Sequence, residues 1–229
     1  MIGFYDYTVV LTYLSLLSAS FGIIISLSGM GHPYIGGFFL LFCGFCDAFD
    51  GKVARSKKDR SQEERSFGIQ IDSLSDLVAF GVLPACIGSA LLRVSPFMKF
   101  LRERYGIACH KGATVFLTAL LVLYILAALI RLAYFNVTEE KRSIEEGGVR
   151  KYFVGLPVTS SALILPPILF LNYILPGDTT LMYYASVAFM GIAFLGKFKL
   201  KKPGLRGLLI LIGIGTIEFM LMLLGKLIK

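Results

Sequence analysis

The chain has 229 residues, of which 56% are hydrophobic and 17% charged, and a formal net charge of +8. Soluble domains are nearer 45–50% apolar, so this composition, with a mean hydropathy of +0.74, excludes an ordinary soluble domain and points to an integral membrane protein. The surplus of Lys and Arg then belongs to cytoplasmic connections and does not imply a nucleic-acid partner.

In chain order, apolar windows of about 20 residues predict seven spans: Tyr7–Leu27, Tyr34–Ala54, Gly68–Leu92, Ala113–Phe135, Leu156–Leu175, Thr180–Phe198 and Leu205–Leu224. The expected fold is an all-α polytopic bundle of about seven helices, six to eight in all, forming one integral membrane domain over 1–229. The first run lacks a basic region ahead of it and a good cleavage context, so no cleavable signal peptide is expected. The fifth span contains Pro157, Pro166 and Pro167 and is expected to bend. With the N-terminus inside, the connections 55–67, 136–155 and 197–206 carry 14 Lys and Arg against 7 on the outer segments, which favours that orientation. The basic connection 93–112 fits this pattern least well and reads as an amphipathic surface segment.

The four cysteines, 43, 46, 86 and 109, show no secreted disulfide pattern. "CGFC" lacks the βαβ context of a redox motif, so helix packing is the simpler reading. His32 and His110 lie far apart in loops, which disfavours zinc.

The second span ends in "CDAFDGKVAR". At about 100° per residue, Asp47, Asp50, Gly51 and Ala54 share one helix face. Two carboxylates at the negative end of a helix are disfavoured as capping residues, so they need another reason. The third span opens with Gly68, then Asp72 and Asp76 on one face. The connection from Arg55 to Phe67 lets the two helices run antiparallel and set four carboxylates around one point. So close, they cannot all stay ionised unaided. Two divalent cations answer this, and all-oxygen ligands select Mg²⁺, Mn²⁺ or Ca²⁺ for phosphoryl chemistry. Gly51, Ala54 and Gly68 leave room for a large ligand such as a nucleotide, and Arg55 suits a phosphate.

The pattern Asp47-x2-Asp50-Gly51-x2-Ala54-Arg55, then Gly68-x3-Asp72-x3-Asp76, resembles the signature of the CDP-alcohol phosphatidyltransferases. It departs in one respect: twelve residues separate Arg55 from Gly68, where the family has roughly eight, and the surplus is expected to loop into the cytosol. "DSLSDLVAFGVLPA", "RLAYFNV" and "FVGLPVTSSA" resemble the phosphatidylserine synthase branch, with similarity over about the first 165 residues. The catalytic part is then about 7–165, and 166–229 adds C-terminal spans.

The resemblance implies transfer of a phosphatidyl group from a CDP-lipid, diacylglycerol or archaeal ether, to L-serine with release of CMP. It implies Asp47, Asp50, Asp72 and Asp76 as metal ligands, with Asp76 also the general base. Gly51, Ala54, Arg55 and Gly68 would contact the CDP group. "LTYLS" resembles a family pattern near the start of the first span and adds Thr12 and Ser15 as nucleotide candidates. A homodimer in the cell membrane, with its active site facing the cytoplasm, is also implied.

Arg131 and Asn136 lie near the inner end of the fourth span. Arg131 either holds the serine carboxylate or lipid phosphate, or snorkels to the surface. Glu218 in the last span reads as a packing or interface residue. The basic runs at 57–60 and 197–206 read as orientation signals that also suit anionic head groups. A sister activity with glycerol phosphate or inositol phosphate would require more cations around the acceptor. A divalent-cation carrier would require acidic residues at both membrane faces, whereas all four aspartates lie at one.

Overall fold

The computed structural model describes residues 3–29, 33–57, 59–145, 152–174 and 177–201, with the single positions 213 and 220. A short 3₁₀ turn, Tyr7–Val9, leads into α1 (Val10–Ser28), followed by α2 (Tyr34–Ser56) and α3 (Gln62–Asp76). A wide turn over Leu77–Val82 joins α3 to α4 (Leu83–Val94). Then come α5 (Pro96–Glu145), α6 (Ser161–Ile174) and α7 (Thr180–Leu195). The stretches Tyr7–Ser28, Tyr34–Ser56, Gln62–Val94 and Pro96–Thr138 are long and apolar enough to cross a membrane, while Val158–Leu171 and Thr180–Leu195 are shorter apolar helices. The chain is thus an all-α, multi-pass membrane protein. The expected seventh span, and Glu218 within it, lie outside the described residues.

Three details refine the sequence expectation. The third helical stretch begins at Gln62, six residues ahead of Gly68, because "SQEE" forms a capping box. The Ser61 hydroxyl accepts from the Glu64 N–H (3.1 Å), and the Glu64 carboxylate accepts from the Ser61 N–H (2.8 Å). Those two bonds satisfy amides that an uncapped helix start would leave open. Part of the stretch expected to loop out is therefore helical, as the first turns of α3.

Second, the connection 93–112 is helical from Pro96 onward, as the first part of α5. The helix is interrupted only at Gly106, whose φ of 85° is left-handed and open to glycine at no steric cost. Met98 is buried while Lys99, Arg102 and Glu103 are exposed, which is the amphipathic surface arrangement. Third, a short antiparallel ladder pairs Tyr152–Val154 (β1) with Lys199–Lys201 (β2), tying two of the basic connections together.

Small residues set the helix spacing, as expected where lipid offers no hydrophobic drive to association. A Cβ added to Gly44 on α2 would stand 2.6 Å from the Ala162 Cβ on α6. Pro166 and Pro167 sit inside α6, whereas Pro157 lies ahead of it in the turn that starts the helix. At the opposite end from the aspartates, Asp178 accepts from the Phe97 N–H (2.8 Å), the Ser95 hydroxyl and the Thr180 N–H (2.8 Å). It thereby joins the α6–α7 connection to the start of α5.

The wide turn has a local cause. Pro84 has no N–H, so it cannot donate to the Phe80 carbonyl one α-turn back, and its ring would crowd that carbonyl. The chain widens just before it, with the Leu83 N–H donating to the Val78 carbonyl. Tyrosines supply donors from other helices: Tyr124 to Phe80 O (2.7 Å), Tyr183 to Pro84 O (2.8 Å) and Tyr184 to Gly88 O (3.0 Å). Such wide turns gather at functional positions, and this one begins immediately after Asp76.

Candidate active site

The site forms where the C-terminal part of α2 and the first turns of α3 meet the start of α1. Asp50 and Asp72 approach within hydrogen-bonding reach, and Asp47 and Asp76 lie within Coulombic range of them. Asp76 is buried at 9% exposure, and the other three are half-buried. The four carboxylates expected from the helix-face geometry therefore lie within range of one another's charge.

Among the described residues none of the four forms a salt bridge. No three carboxylate, imidazole or thiolate groups there are already drawn tightly around one point. The donor set fits a hard cation in its chemistry, being all carboxylate oxygen. Gripping one requires the side chains to turn inward.

Beside the carboxylates lies a cavity of about 120 Å³ lined by Asp50, Gly51, Ala54, Gly68, Asp72 and Thr12, and also by Thr8, Val9, Arg60, Arg65 and Ile69. The expected nucleotide contacts Gly51, Ala54, Gly68 and Thr12 thus share one hollow. Ser15 is buried one turn further along α1, does not line the cavity, and its hydroxyl has no hydrogen-bond partner. Arg55 is exposed, with Nη1 only 3.3 Å from where a Cβ on Gly51 would sit. The two glycines are therefore roofed by guanidinium groups, Gly51 by Arg55 and Gly68 by Arg60.

Of the acceptor candidates, Asn136 donates from its side-chain amide to the hydroxyl of Ser73, beside Asp72 in the sequence, at 2.7 Å, and does not line the cavity. Arg131 is buried, donates from Nε to the Leu156 carbonyl (3.1 Å) and lies over the Phe135 ring. It does not snorkel, and it does not line the cavity. It ties α5 to the turn before α6.

Thr8, Val9, Arg60, Arg65 and Ile69 were not anticipated as cavity residues. The first two come from an N-terminal strap. Asp6 accepts from the Thr8 N–H (2.8 Å) and hydroxyl, and pairs with Lys57 (2.7 Å), which also pairs with Glu64 (2.9 Å). Phe4 packs edge-on against Phe67. The hydrogen bond from Lys57, then those from Thr8, hold the Asp6 carboxyl down at about 2. The readable signal was "DYT", an acidic residue two before a hydroxyl at a helix start.

The family model described as CDP-alcohol phosphatidyltransferase matches residues 8–198, and the chain belongs to that family. The match runs beyond residue 165, through α6 and α7, further than the sequence motifs alone suggested. The chain is 35% identical over 143 residues to the CDP-diacylglycerol–serine O-phosphatidyltransferase of Saccharomyces cerevisiae, covering 61% of this chain and 44% of that protein. It is 25% identical over 156 residues to the enzyme of the same name from Helicobacter pylori, covering 67% and 54%. It is 33% identical over 153 residues to an archaetidylserine synthase of Methanothermobacter thermautotrophicus, covering 66% and 54%. The chain thus spans about half the length of these relatives. No solved structure matches it.

Proposed function

We propose that this chain transfers the phosphatidyl group of a CDP-activated lipid to the hydroxyl of L-serine, giving phosphatidylserine or its ether-lipid counterpart and CMP. The observation that supports the reading is a cavity lined by Asp50 and Asp72 together with Gly51, Ala54 and Gly68, with Asp47 and Asp76 within range of their charge. The names of the relatives support serine as the acceptor.

Asp47, Asp50, Asp72 and Asp76 would hold two divalent cations, Mg²⁺ or Mn²⁺ with Ca²⁺ also admissible, which when bound polarise the diphosphate and stabilise the departing CMP. Asp76 takes the proton of the serine hydroxyl as its oxygen bonds to the lipid-side phosphorus and the bond to CMP breaks. Its burial at the end of α3 keeps it away from bulk water. Gly51 and Gly68 allow the nucleotide to approach the backbone once Arg55 and Arg60 move off them. Asn136, bonded to Ser73, would help to hold the acceptor amino acid. Arg131 acts one step back, by holding the Leu156 carbonyl. The basic inner connections support a cytoplasmic-facing site in the cell membrane, and the family resemblance supports a homodimer.

The test is a reconstituted assay with CDP-lipid, Mn²⁺ or Mg²⁺ and labelled serine. Labelled lipid and CMP in equal amounts are expected, with no product from glycerol phosphate or inositol phosphate. Lipid product formed only with another alcohol would overturn the serine assignment.

A further inference from the structure

The connection between Arg55 and Gly68 is longer here than in the related pattern, and Arg60 lies within it. Arg60 folds back over the end of α2 and the first turn of α3. Its Nη1 reaches the Ala54 carbonyl at 3.5 Å, and its Nη2 donates to the Glu64 carbonyl at 3.1 Å. The same Nη2 stands 2.7 Å from where a Cβ on Gly68 would be. Its Nε is buried and has no hydrogen-bond partner.

A buried guanidinium donor without an acceptor is unfavourable. A planar fork with spare donors is the group best shaped for phosphate oxygens. Charge sharpens the argument. Arg60 and Arg65 line the same cavity as Asp50 and Asp72. A bare cation there would meet two guanidinium groups, and a bare anion would meet two carboxylates. The ligand that satisfies both is an anion partly neutralised by metal, such as a metal-bound diphosphate.

We propose that Arg60 binds the diphosphate of the CDP-lipid above Gly68, so that the longer connection is a phosphate-holding element of the nucleotide site. The proposal rests on the CDP-lipid reading given above. Without substrate, Arg60 parks its fork on the Ala54 and Glu64 carbonyls. When the diphosphate arrives, the fork trades the long 3.5 Å contact for charged oxygens, and the unpaired Nε–H gains an acceptor. The Glu64 capping box holds the connection in place, so the exchange needs a side-chain movement only.

The experiment measures binding of CDP and of cytidine to the full chain in lipid nanodiscs with Mn²⁺. Calorimetry reads CDP, and ligand-observed NMR reads cytidine. Arg60→Gln should weaken CDP binding by about ten- to a hundredfold, the range for losing charge-assisted hydrogen bonds, and leave cytidine binding unchanged. Arg60→Lys, which keeps the charge and loses the fork, should recover part of the loss. Melting temperatures of both variants establish that they fold, and should Arg60→Gln fail to fold, Arg60→Lys alone must still weaken CDP selectively. Unchanged CDP binding in a folded variant overturns the proposal while the CDP-lipid reading stands. Equal loss of CDP and cytidine also overturns it, assigning Arg60 a packing role. A wild-type chain that binds neither CDP nor CDP-lipid overturns both readings.

Discussion

Tyr124→Phe should destabilise the protein through a single hydrogen bond. Tyr124 is buried at 1% exposure and donates to the carbonyl of Phe80, itself fully buried, at 2.7 Å. That carbonyl faces Pro84, which has no N–H to offer it. Removing the hydroxyl keeps the ring packing and strips the carbonyl of the tyrosine's proton. A buried acceptor left without its donor costs about 1–3 kcal/mol, and interhelical hydrogen bonds in membrane proteins fall at or below the lower end, about 0.6–1.7 kcal/mol. For a chain of this length, that is a fall in melting temperature of about 1–7 °C.

The assay is thermal unfolding in detergent of the four members of a double-mutant cycle with Pro84→Ala. Alanine restores an N–H one turn from Phe80, so the tyrosine hydroxyl should matter less in that background, with a coupling of about 1 kcal/mol. A Tyr124→Phe protein that melts with the wild type, or a penalty identical in both backgrounds, would refute the reasoning.

Asp76→Asn should lower CMP release by about 10²–10⁴-fold while CDP-lipid binding is largely retained; near-normal serine-dependent turnover would remove Asp76 as the base. Gly44→Ala pushes a Cβ to 2.6 Å from that of Ala162 and should cost about 1–3 kcal/mol, recovered by adding Ala162→Gly; no recovery in calorimetry would place the strain elsewhere. Asp6→Asn should loosen the strap by no more than about 1 kcal/mol, because the Lys57 pair is partly exposed. Since the Asp6 carboxyl is held down at about 2, the strap's contribution is complete above pH 3.8 and disappears as pH falls through about 2. Melting curves of wild type and Asp6→Asn should therefore converge toward that pH, and a constant gap down to pH 2 would count against the ion pair.

The chemistry-bearing aspartates were legible because helix geometry is local. Asp47 and Asp50 share a face whatever surrounds them, as do Asp72 and Asp76, and a short connection keeps the two pairs at the same end of their helices. The cavity wall was only half legible. Gly51, Ala54 and Gly68 announce themselves by size, whereas Thr8 and Val9 arrive through an ion pair between residues 6 and 57, a distance no periodicity reports. Arg60 looked like one more positive charge in an orientation signal. Its meaning depends on which carbonyls its fork meets, and those belong to two different helices.

The extent of α3 lay within reach of the sequence, since "SQEE" is a capping box, but apolar windows pass over a polar helix start. Arg131 is the opposite case: its depth was readable, but its partner, the Leu156 carbonyl, is a tertiary fact.

By itself the sequence determined the membrane class, the apolar helices and the two pairs of carboxylates, because each depends on composition or on the period of one helix. The tertiary structure alone decided that Arg55 and Arg60 roof the glycines, that an N-terminal strap closes one wall, and that tyrosines from α5 and α7 cap the carbonyls around Pro84. Those contacts join residues far apart in the chain, and their strength depends on exclusion from water, which only the packed helices create.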